Sequence, residues 1–550
     1  MMKKWMKTGA LLGFLGFSSI LGANETLAAG SNDCSGVTSQ VDYEIHDIQG
    51  NGDASTLEGQ EVTTCGTVYA VHSSGYWIQD TTGDGDPSTS EGIYVYRSSG
   101  AGSIQVGDVI KQTATVKEYY GLTELSTYKS GNVIGTSQVP AATEITPSMS
   151  YGDLESLEGM RVTVKDATVV AGSNKYKDTY LVPGNVSSRV NRQDTTTPYF
   201  KVSDKLGNYI SGASTFDTVQ GDLTGPFDYS YDAYTLQWNA GTADVTDSGH
   251  TENAMAQDTS NELSVDTFNV ENYFEVGSEV SPGDPGTKVT QEEFDTKTAK
   301  LSHAIRSNLG SPDILALQEV ENNQVLDELV SKVSADGGPL YTPYLVEGND
   351  GRGIDVAYLV KDGVNVQSVT QVGKNATTNE SGCGPSGTNL LFSRPPLVLN
   401  IQTDDGTTIS IINNHFKSKS GSDACRNAQA DFVADTANDE AANGHEIIVT
   451  GDLNSYKDEQ SVNTIETNAN LSNVIYDIPA ENRFSYIYTG KAQFLDHILV
   501  SGNLYNQMID TDSAKINPDF AYSNGSDATN ALSVSDHDPL HAVFNYGTSY

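Results

Sequence analysis

The spacing of apolar residues changes near the middle of the chain. From residue 60 to about 140, short runs alternate apolar with polar positions: VTTCGTVYAVH, GYWIQD, GIYVY, VIKQTATV and TELSTY, separated by Gly, Asp and Ser. A period of two closed by turn residues predicts half-buried antiparallel strands, hence a small barrel or sandwich. Residues 150 to 245 continue in the same style with RVTVKDATVV, TPYFKV and TLQWNA. The polar stretch TADVTDSGHTENAMAQDTSNE follows and places a domain boundary near residue 255. Residues 30–255 are therefore expected to form a β-rich region, either one barrel with an extension or two subdomains split near residue 145.

From Leu263 onward strands alternate with helices. Thr290 and Glu293 form a capping box, and Phe294, Leu301, Ile305 and Leu309 recur at helical spacing until Gly310 ends the run. DILALQEV reads as a buried strand, NQVLDELVSKV as a helix, and DVAYLV, PLVLNI and TISIINNHF as strands. RNAQADFVADTANDEAA is helical and HEIIVTGDLN returns to a strand. The pattern predicts a layered α/β or α+β domain over residues 256–550.

Polar islands sit where these apolar runs end: FNVEN, LQEVE, NNHFKSK, TGDLNSY, FLDHILVS and SDHDPL. They bring Asn269, Glu271, Glu319, His415, Asp452, Asn454, Asp496, Asp536 and His537 to strand ends and loops. Carboxylates, amides and two histidines, with no Ser or Cys nucleophile among them, suit metal-assisted attack by water on phosphorus. A hard cation takes oxygen ligands, which Glu319 and Asp536 can supply.

The first residues read as a secretory signal over 1–29. Lys3, Lys4 and Lys7 precede an apolar stretch from Ala10 to about Ala23, too short for a bilayer core of about 30 Å. No later segment is long and apolar enough for an anchor, so a secreted, extracellular protein is expected, as a monomer. In that setting the four cysteines favour two disulfides. Of three possible connectivities, proximity favours Cys34 with Cys65 and Cys383 with Cys425.

Charge complicates the picture: 31 Lys plus Arg stand against 72 Asp plus Glu, a net −41. A protein that binds a polyanion is normally basic. High salt removes the conflict, because the Debye length falls to about 3 Å at 1 M. A marine or halophilic source is therefore one expectation, and an acidic secreted protein of no special habitat is the other.

The islands resemble the endonuclease/exonuclease/phosphatase superfamily, which includes deoxyribonuclease-like enzymes. FNVEN, LQEVE, GDLN, LDHILVS and SDHDPL occur in that family's order over roughly residues 263–546. The resemblance implies a four-layer α+β sandwich for the catalytic domain. GYWIQDTTGDGDPSTSEGIYVY with VGDVI is similar to the oligonucleotide-binding-type barrel that precedes it in secreted bacterial members. By the same resemblance, Asn269, Glu319 and Asp536 hold Mg²⁺ or Mn²⁺, with Glu271 as an additional ligand and Ca²⁺ as an open requirement. Asp452 and Asn454 bind the scissile phosphate or a second metal and help position the attacking water. His537, oriented by Asp496, activates water or stabilises the phosphorane, and His415 serves as general acid. Arg394 and Lys417 contact phosphate, in a basic run with Lys419 and Arg426.

The implied activity is hydrolysis of DNA with little sequence preference, with RNA as a further substrate. The rivals are a sphingomyelinase-like or other phosphoesterase of the same fold, and a non-catalytic nucleic-acid-binding protein. Several residues have plainer readings. His497 and Asp538 flank the site. Tyr76, Trp77, Tyr94, Tyr96, Tyr119 and Tyr120 are either stacking platforms for bases or strand packing. Asp80, Asp84 and Asp86 are either Ca²⁺ ligands or a solvated turn.

Overall fold

The computed structural model describes Cys34 and residues 41–256, 262–281 and 283–545. The expected signal stretch lies outside them. Two compact units interleave along the chain. One holds residues up to Asp166 with 195–208 and 220–243; the other holds 167–194, 209–219 and everything from Asp244. This division differs from a single boundary near residue 255. Alternating patterns foretell strands, but they do not say which sheet a strand joins, and the strand Arg161–Ala171 itself passes from one unit to the other.

In the first unit five strands close on themselves. Glu61–His72 pairs with Gly75–Gln79, which continues through Gly92–Tyr96, Leu122–Ser126 and Asp108–Tyr119 back to the first strand. The inward residues Val62, Val68, Tyr76, Ile78, Ile93, Val95, Ile110, Val116 and Leu125 fill the barrel. Closure leaves no unpaired edge among these five strands. A disulfide joins Cys34 to Cys65. The candidate stacking residues divide: Tyr76, Trp77 and Tyr94 are buried, whereas Tyr96, Tyr119 and Tyr120 are 38%, 51% and 81% exposed.

The acidic turn after the second barrel strand caps itself. Asp80, Asp84 and Asp86 accept the backbone N–H groups of Thr82, Asp86 and Ser88 in turn. Asp84, Glu91 and His46 bring ligand atoms within 4.8 Å of one another. Two of these carboxylates are already engaged by the loop's own N–H groups, Asp84 by Asp86 and Glu91 by Asp84.

The second unit contains two six-stranded sheets. One has the order 341–345, 355–361, 314–320, 263–273, 540–544, 508–513; the other runs 365–371, 397–402, 408–415, 446–452, 496–501, 471–473. Alternation along single strands sets the layers. Leu397, Leu399 and Ile401 join Val265, Ile314, Tyr358 and Ile498 between the sheets, while Val398 turns to Ile412, Val433 and Val449 beneath the helix Asp423–Ala442. Leu315 and Leu317 face the opposite way, packing with Leu301, Leu326 and Leu329 of the helices Gln291–His303 and Asn323–Ala335. The result is helix, sheet, sheet, helix, the expected four layers. The Thr290–Glu293 capping box forms as expected, and the helix it starts widens into a π-helical turn over Ala304–Asn308.

Two further bonds staple this unit. Cys383 is joined to Cys425, the second expected pair. Arg189 grips the buried Asp519 through Nε at 3.0 Å and through a second guanidinium nitrogen, and His250 lies 3.2 Å from the same carboxylate. Burial alone would raise the Asp519 pKa; His250 and Arg189 overcome it and hold the group well below its usual range. A depressed carboxylate contributes stability above its unfolded pKa of about 3.9 and loses it as pH falls further. Asp519→Asn should therefore cost roughly 3–5 kcal/mol near neutrality. In thermal melts the difference from wild type should shrink below about pH 4; an equal melting temperature at pH 7 would refute this.

Candidate active site

The islands converge because the register places them side by side. His415 pairs with Asp452 across parallel strands, and Asp452 pairs with Asp496 on the next strand. Gly451 makes the approach possible: at φ +121°, any Cβ there would meet the Asn414 carbonyl oxygen at 2.0 Å. Across the sandwich, the pairing of 263–273 with 314–320 shifts register between Asn269 and Tyr273, and the pairing of 314–320 with 355–361 shifts between Gln318 and Val320. Bulges re-aim side chains next to sites. Here they accompany left-handed backbone at Glu271 (φ +49°), Asn272 (φ +52°) and Glu319 (φ +65°), conformations that non-glycine residues adopt at a cost.

The two sheets meet at Asn269. Its Nδ2 donates to Asp452 Oδ2 at 3.1 Å and reaches Glu319 Oε1 at 3.5 Å, while its Oδ1 accepts the Glu271 N–H at 3.0 Å. His415 Nε2 lies 3.5 Å from Asp452 and 3.8 Å from Glu319. Asn454, at φ +47°, donates its backbone N–H and its Nδ2 to Asp452 at 2.8 and 3.1 Å. Ser535 Oγ donates to the Asn269 carbonyl at 2.6 Å and accepts the His537 N–H, bringing the SDHDPL segment to the same place. His537 Nδ1 is 2.7 Å from Asp496 Oδ2, the expected base-and-orienter contact, and the Tyr486 ring centroid lies 4.8 Å from its own.

Electrostatics sets the two histidines apart. Burial, then the nearby Arg394 and Arg352, holds the His415 pKa well below its usual value, so the imidazole is neutral. That state does not suit the general-acid role expected for it. Burial opposes charge on His537 as well, but Asp496 outweighs it, with help from Asp452 and Asp536, and the pKa is raised well above the usual value. Asp452 is raised by burial and then by Asp496. The protein crowded around Asp536, then Glu271, raises that carboxyl too, although the residue still opens to solvent.

Residues 264–520 match the family described as Endonuclease/Exonuclease/phosphatase family. The second half of the chain carries a domain of that family. The match stops short of Asp536 and His537, which join the endonuclease/exonuclease/phosphatase domain's site through geometry. Residues 135–247 match a family described as a domain of unknown function. Among solved structures, truncated TDP2 of Caenorhabditis elegans is 20% identical, covering 52% of this chain and 97% of that one with a TM-score of 0.36. The human Nocturnin catalytic domain with bound sulfate anion is 18% identical over 52% and 96%, TM-score 0.36. An endonuclease/exonuclease/phosphatase from Bacteroides vulgatus is 15% identical over 52% and 99%, again at 0.36. No curated protein matches the chain in sequence.

A divalent ion has two places to be tested in the endonuclease/exonuclease/phosphatase domain. Asp452, Asp496 and His537 have ligand atoms within 4.8 Å of one another. The 2.7 Å contact between His537 and Asp496 leaves no room for an ion between them. The expected set fits better: Asn269, Glu271, Glu319 and Asp536 are all oxygen donors, and Glu271 and Glu319 raise the pKa of Asp536, as like charges facing one another do.

Three of the basic residues in the expected run, Arg394, Arg426 and Lys419, have their side chains engaged within the protein. Arg394 is 7% exposed; it donates to Asp350 at 3.0 Å and to the Phe416 carbonyl at 2.6 Å, fixing the backbone just after His415 instead of opening to a phosphate. Arg426 is buried against Asp423 and the carbonyls of Lys417, Ser418 and Gly421. Lys419 binds Glu459 at 2.6 Å. The partly exposed Lys417 is held by its backbone N–H to Gln429. His497 bridges Asn473 and the Ser455 carbonyl, its pKa pushed down to about 4 by burial. Asp538 accepts the N–H groups of Ile516 and Asn517, its carboxyl pushed up to about 6 by burial.

The sequence did not single out Tyr486, Lys297 or Lys175. Lys297 donates to the Glu271 carbonyl at 2.7 Å, and Lys175 lies 3.5 Å from the Glu271 carboxylate. None of the three belongs to a polar island in the sequence; only the tertiary fold marks them.

Proposed function

We propose that the protein is a divalent-metal-dependent phosphodiesterase that hydrolyses DNA with little sequence preference, exported and tolerant of high salt. One observation carries the reading: Asn269, Glu319, His415, Asp452, Asp496 and His537 meet at the adjoining ends of two sheets in a domain of the endonuclease/exonuclease/phosphatase family. We read the five-strand barrel as the oligonucleotide-binding type, which favours nucleic acid over lipid. Among the described residues no helix is long and apolar enough to cross a membrane.

Asn269, Glu319, Asp536 and Glu271 would hold Mg²⁺ or Mn²⁺, which when bound neutralises phosphoryl charge and lowers the pKa of a coordinated water. The chain's own groups do the rest. Asn454 and Asn269 fix Asp452, so its carboxylate can orient water and does not swing. Asp496 and Tyr486 hold the His537 ring, leaving Nε2 for proton transfer at the phosphorus. A neutral His415, its Nε2 3.5 Å from Asp452, would offer an N–H to a phosphoryl oxygen.

The deciding assay is degradation of plasmid DNA in 10-fold steps of enzyme, with and without Mg²⁺, beside a sphingomyelin substrate. Loss of supercoiled DNA that requires Mg²⁺, with intact lipid, is expected. Lipid cleavage without DNA cleavage would refute the reading. Activity that peaks in salt-free buffer and falls steadily with NaCl would refute the salt tolerance.

A further inference from the structure

The segment 167–194 precedes the catalytic domain by some 70 residues, yet it belongs to the same compact unit. In a chain of net charge −41 it carries four basic residues, Lys175, Lys177, Arg189 and Arg192, against two acidic ones, Asp178 and Asp194. Arg189 is committed to Asp519, and Lys177 lies over the Tyr209 ring. The other two stand in partly exposed ion pairs beside segments that carry site residues, Lys175 with Glu271 and Arg192 with Asp458 at 2.5 Å. Lys175, 47% exposed, lies 3.5 Å from Glu271 on the sheet that carries Asn269 and Glu319. Arg192 lies 3.9 Å over the ring of Tyr456, two residues after Asn454, in the loop that follows the strand ending at Asp452. Lys419 lies over the same ring at 4.2 Å.

The segment is also wired to the catalytic histidine. Val190–Asn191 pairs in parallel with Lys491–Gln493, which pairs with Tyr486–Tyr488, and Tyr486 bridges to His537. The Arg192 N–H donates to the Ala492 carbonyl at 3.0 Å, and Lys491 Nζ to the Asp194 carbonyl. This pairing fixes where the Arg192 backbone stands.

We infer that Lys175 and Arg192, brought in by this mid-chain segment, form a rim that binds the phosphates flanking the scissile one, one cation on each sheet's side of the Asn269–Asp452 contact. The ligand is the backbone of a nucleic-acid strand. A lone phosphodiester has no flanking phosphates to offer, so the rim selects polymeric substrates. Such a rim also answers the charge problem, because long-range attraction is absent and a polyanion must be held by local pairs. The exposed Tyr176 beside Lys175 offers a flat face to an adjacent base. The inference rests on the nuclease reading for its substrate.

Its test separates the two. Binding of a fluorescein-labelled 20-mer oligonucleotide to the full chain is measured in EDTA, where no cleavage occurs, for wild type, Lys175→Ala, Arg192→Ala, the double variant and the rescues Lys175→Arg and Arg192→Lys. Each alanine should weaken binding about 5- to 20-fold and reduce the slope of log Kd against log salt by roughly 0.7 to 0.9. The rescues should restore most of it. In Mg²⁺ the KM for the 20-mer should rise with kcat within about twofold, and the loss should be at least fivefold smaller on the dinucleotide dTpdT. Wild-type binding in the alanine variants, or equal losses on both substrates, overturns the rim. Intact rim-dependent binding with no hydrolysis by wild type would instead overturn the nuclease reading and leave the rim standing.

Discussion

Replacing His537 with alanine should lower turnover on any phosphodiester substrate by roughly 10²- to 10⁴-fold, the range expected when a positioned proton-transfer group is lost. The size follows from how the ring is held. Asp496 fixes Nδ1 at 2.7 Å, Ser535 fixes the backbone N–H, and Tyr486 lies against the face, so only Nε2 remains for chemistry. Alanine also leaves Asp496, 1% exposed, as a buried carboxylate without its partner, which costs stability. His537→Gln separates the effects: an amide can keep a hydrogen bond to Asp496 but cannot carry a proton between water and a leaving group. The expected result is a glutamine variant that melts close to wild type and still loses at least 100-fold in kcat. Either variant within threefold of wild type would remove His537 from the chemistry.

The two histidines act in opposite states because the chain surrounds them differently. His415 sits at the end of a buried strand, with Arg394 and Arg352 contributing positive potential. His537 faces three carboxylates, those of Asp496, Asp452 and Asp536. These carboxylates favour the proton on His537, and under the proposed mechanism a cation on Asp536 would weaken that field.

Much of this arrangement was legible in the amino-acid order. Strand ends are easy to read, because DILALQE or TISIINNH runs largely apolar until it meets its first functional residue, and Glu319, His415 and Asp452 sit at such ends, while Asn269 lies within Leu263–Tyr273 and Asp496 opens its strand. The layered α/β or α+β class followed from strands buried on both faces next to amphipathic helices, and the four-layer form from the family resemblance. Two kinds of information were not legible. Arg394 and Arg426 look like phosphate contacts in a linear reading, yet the fold buries each guanidinium against a carboxylate and backbone carbonyls. Lys175 was hidden because its loop lies in a stretch patterned like the barrel strands, and hydrophobic alternation carries no record of which sheet a strand will join. The same blindness hides that segments 167–194 and 209–219 lie in the compact unit that holds the residues from Asp244.

Exhaustive dialysis against EDTA should abolish hydrolysis, and Mg²⁺ should restore it. The stronger form of this expectation is Glu319→Gln, which should raise the Mg²⁺ concentration needed for half-maximal activity well over tenfold. Second-sphere changes alone commonly cost 10- to 100-fold in metal affinity, and Glu319 is proposed as a direct ligand. The geometry explains why an amide is a poor replacement. Glu319 Oε2 accepts the Asn272 N–H at 3.0 Å, and Oε1 faces Asn269 Nδ2 and His415 Nε2, so both oxygens act as acceptors. Glutamine turns one of them into a donor aimed at another donor, and removes a charge from the group formed with Glu271 and Asp536. A readout free of catalysis keeps the test clean: wild type should gain thermal stability on adding Mg²⁺ by binding to the folded state alone, and the variant should gain less at the same concentration. The variant should also lose part of the mutual carboxylate repulsion, so without metal it should melt no lower than wild type. That inversion, more stable when empty and less responsive when Mg²⁺ is added, distinguishes a metal cradle from a framework carboxylate, whose loss would lower both melts together. A Glu319→Gln variant with wild-type Mg²⁺ dependence in activity and melting would place the ion elsewhere in the site.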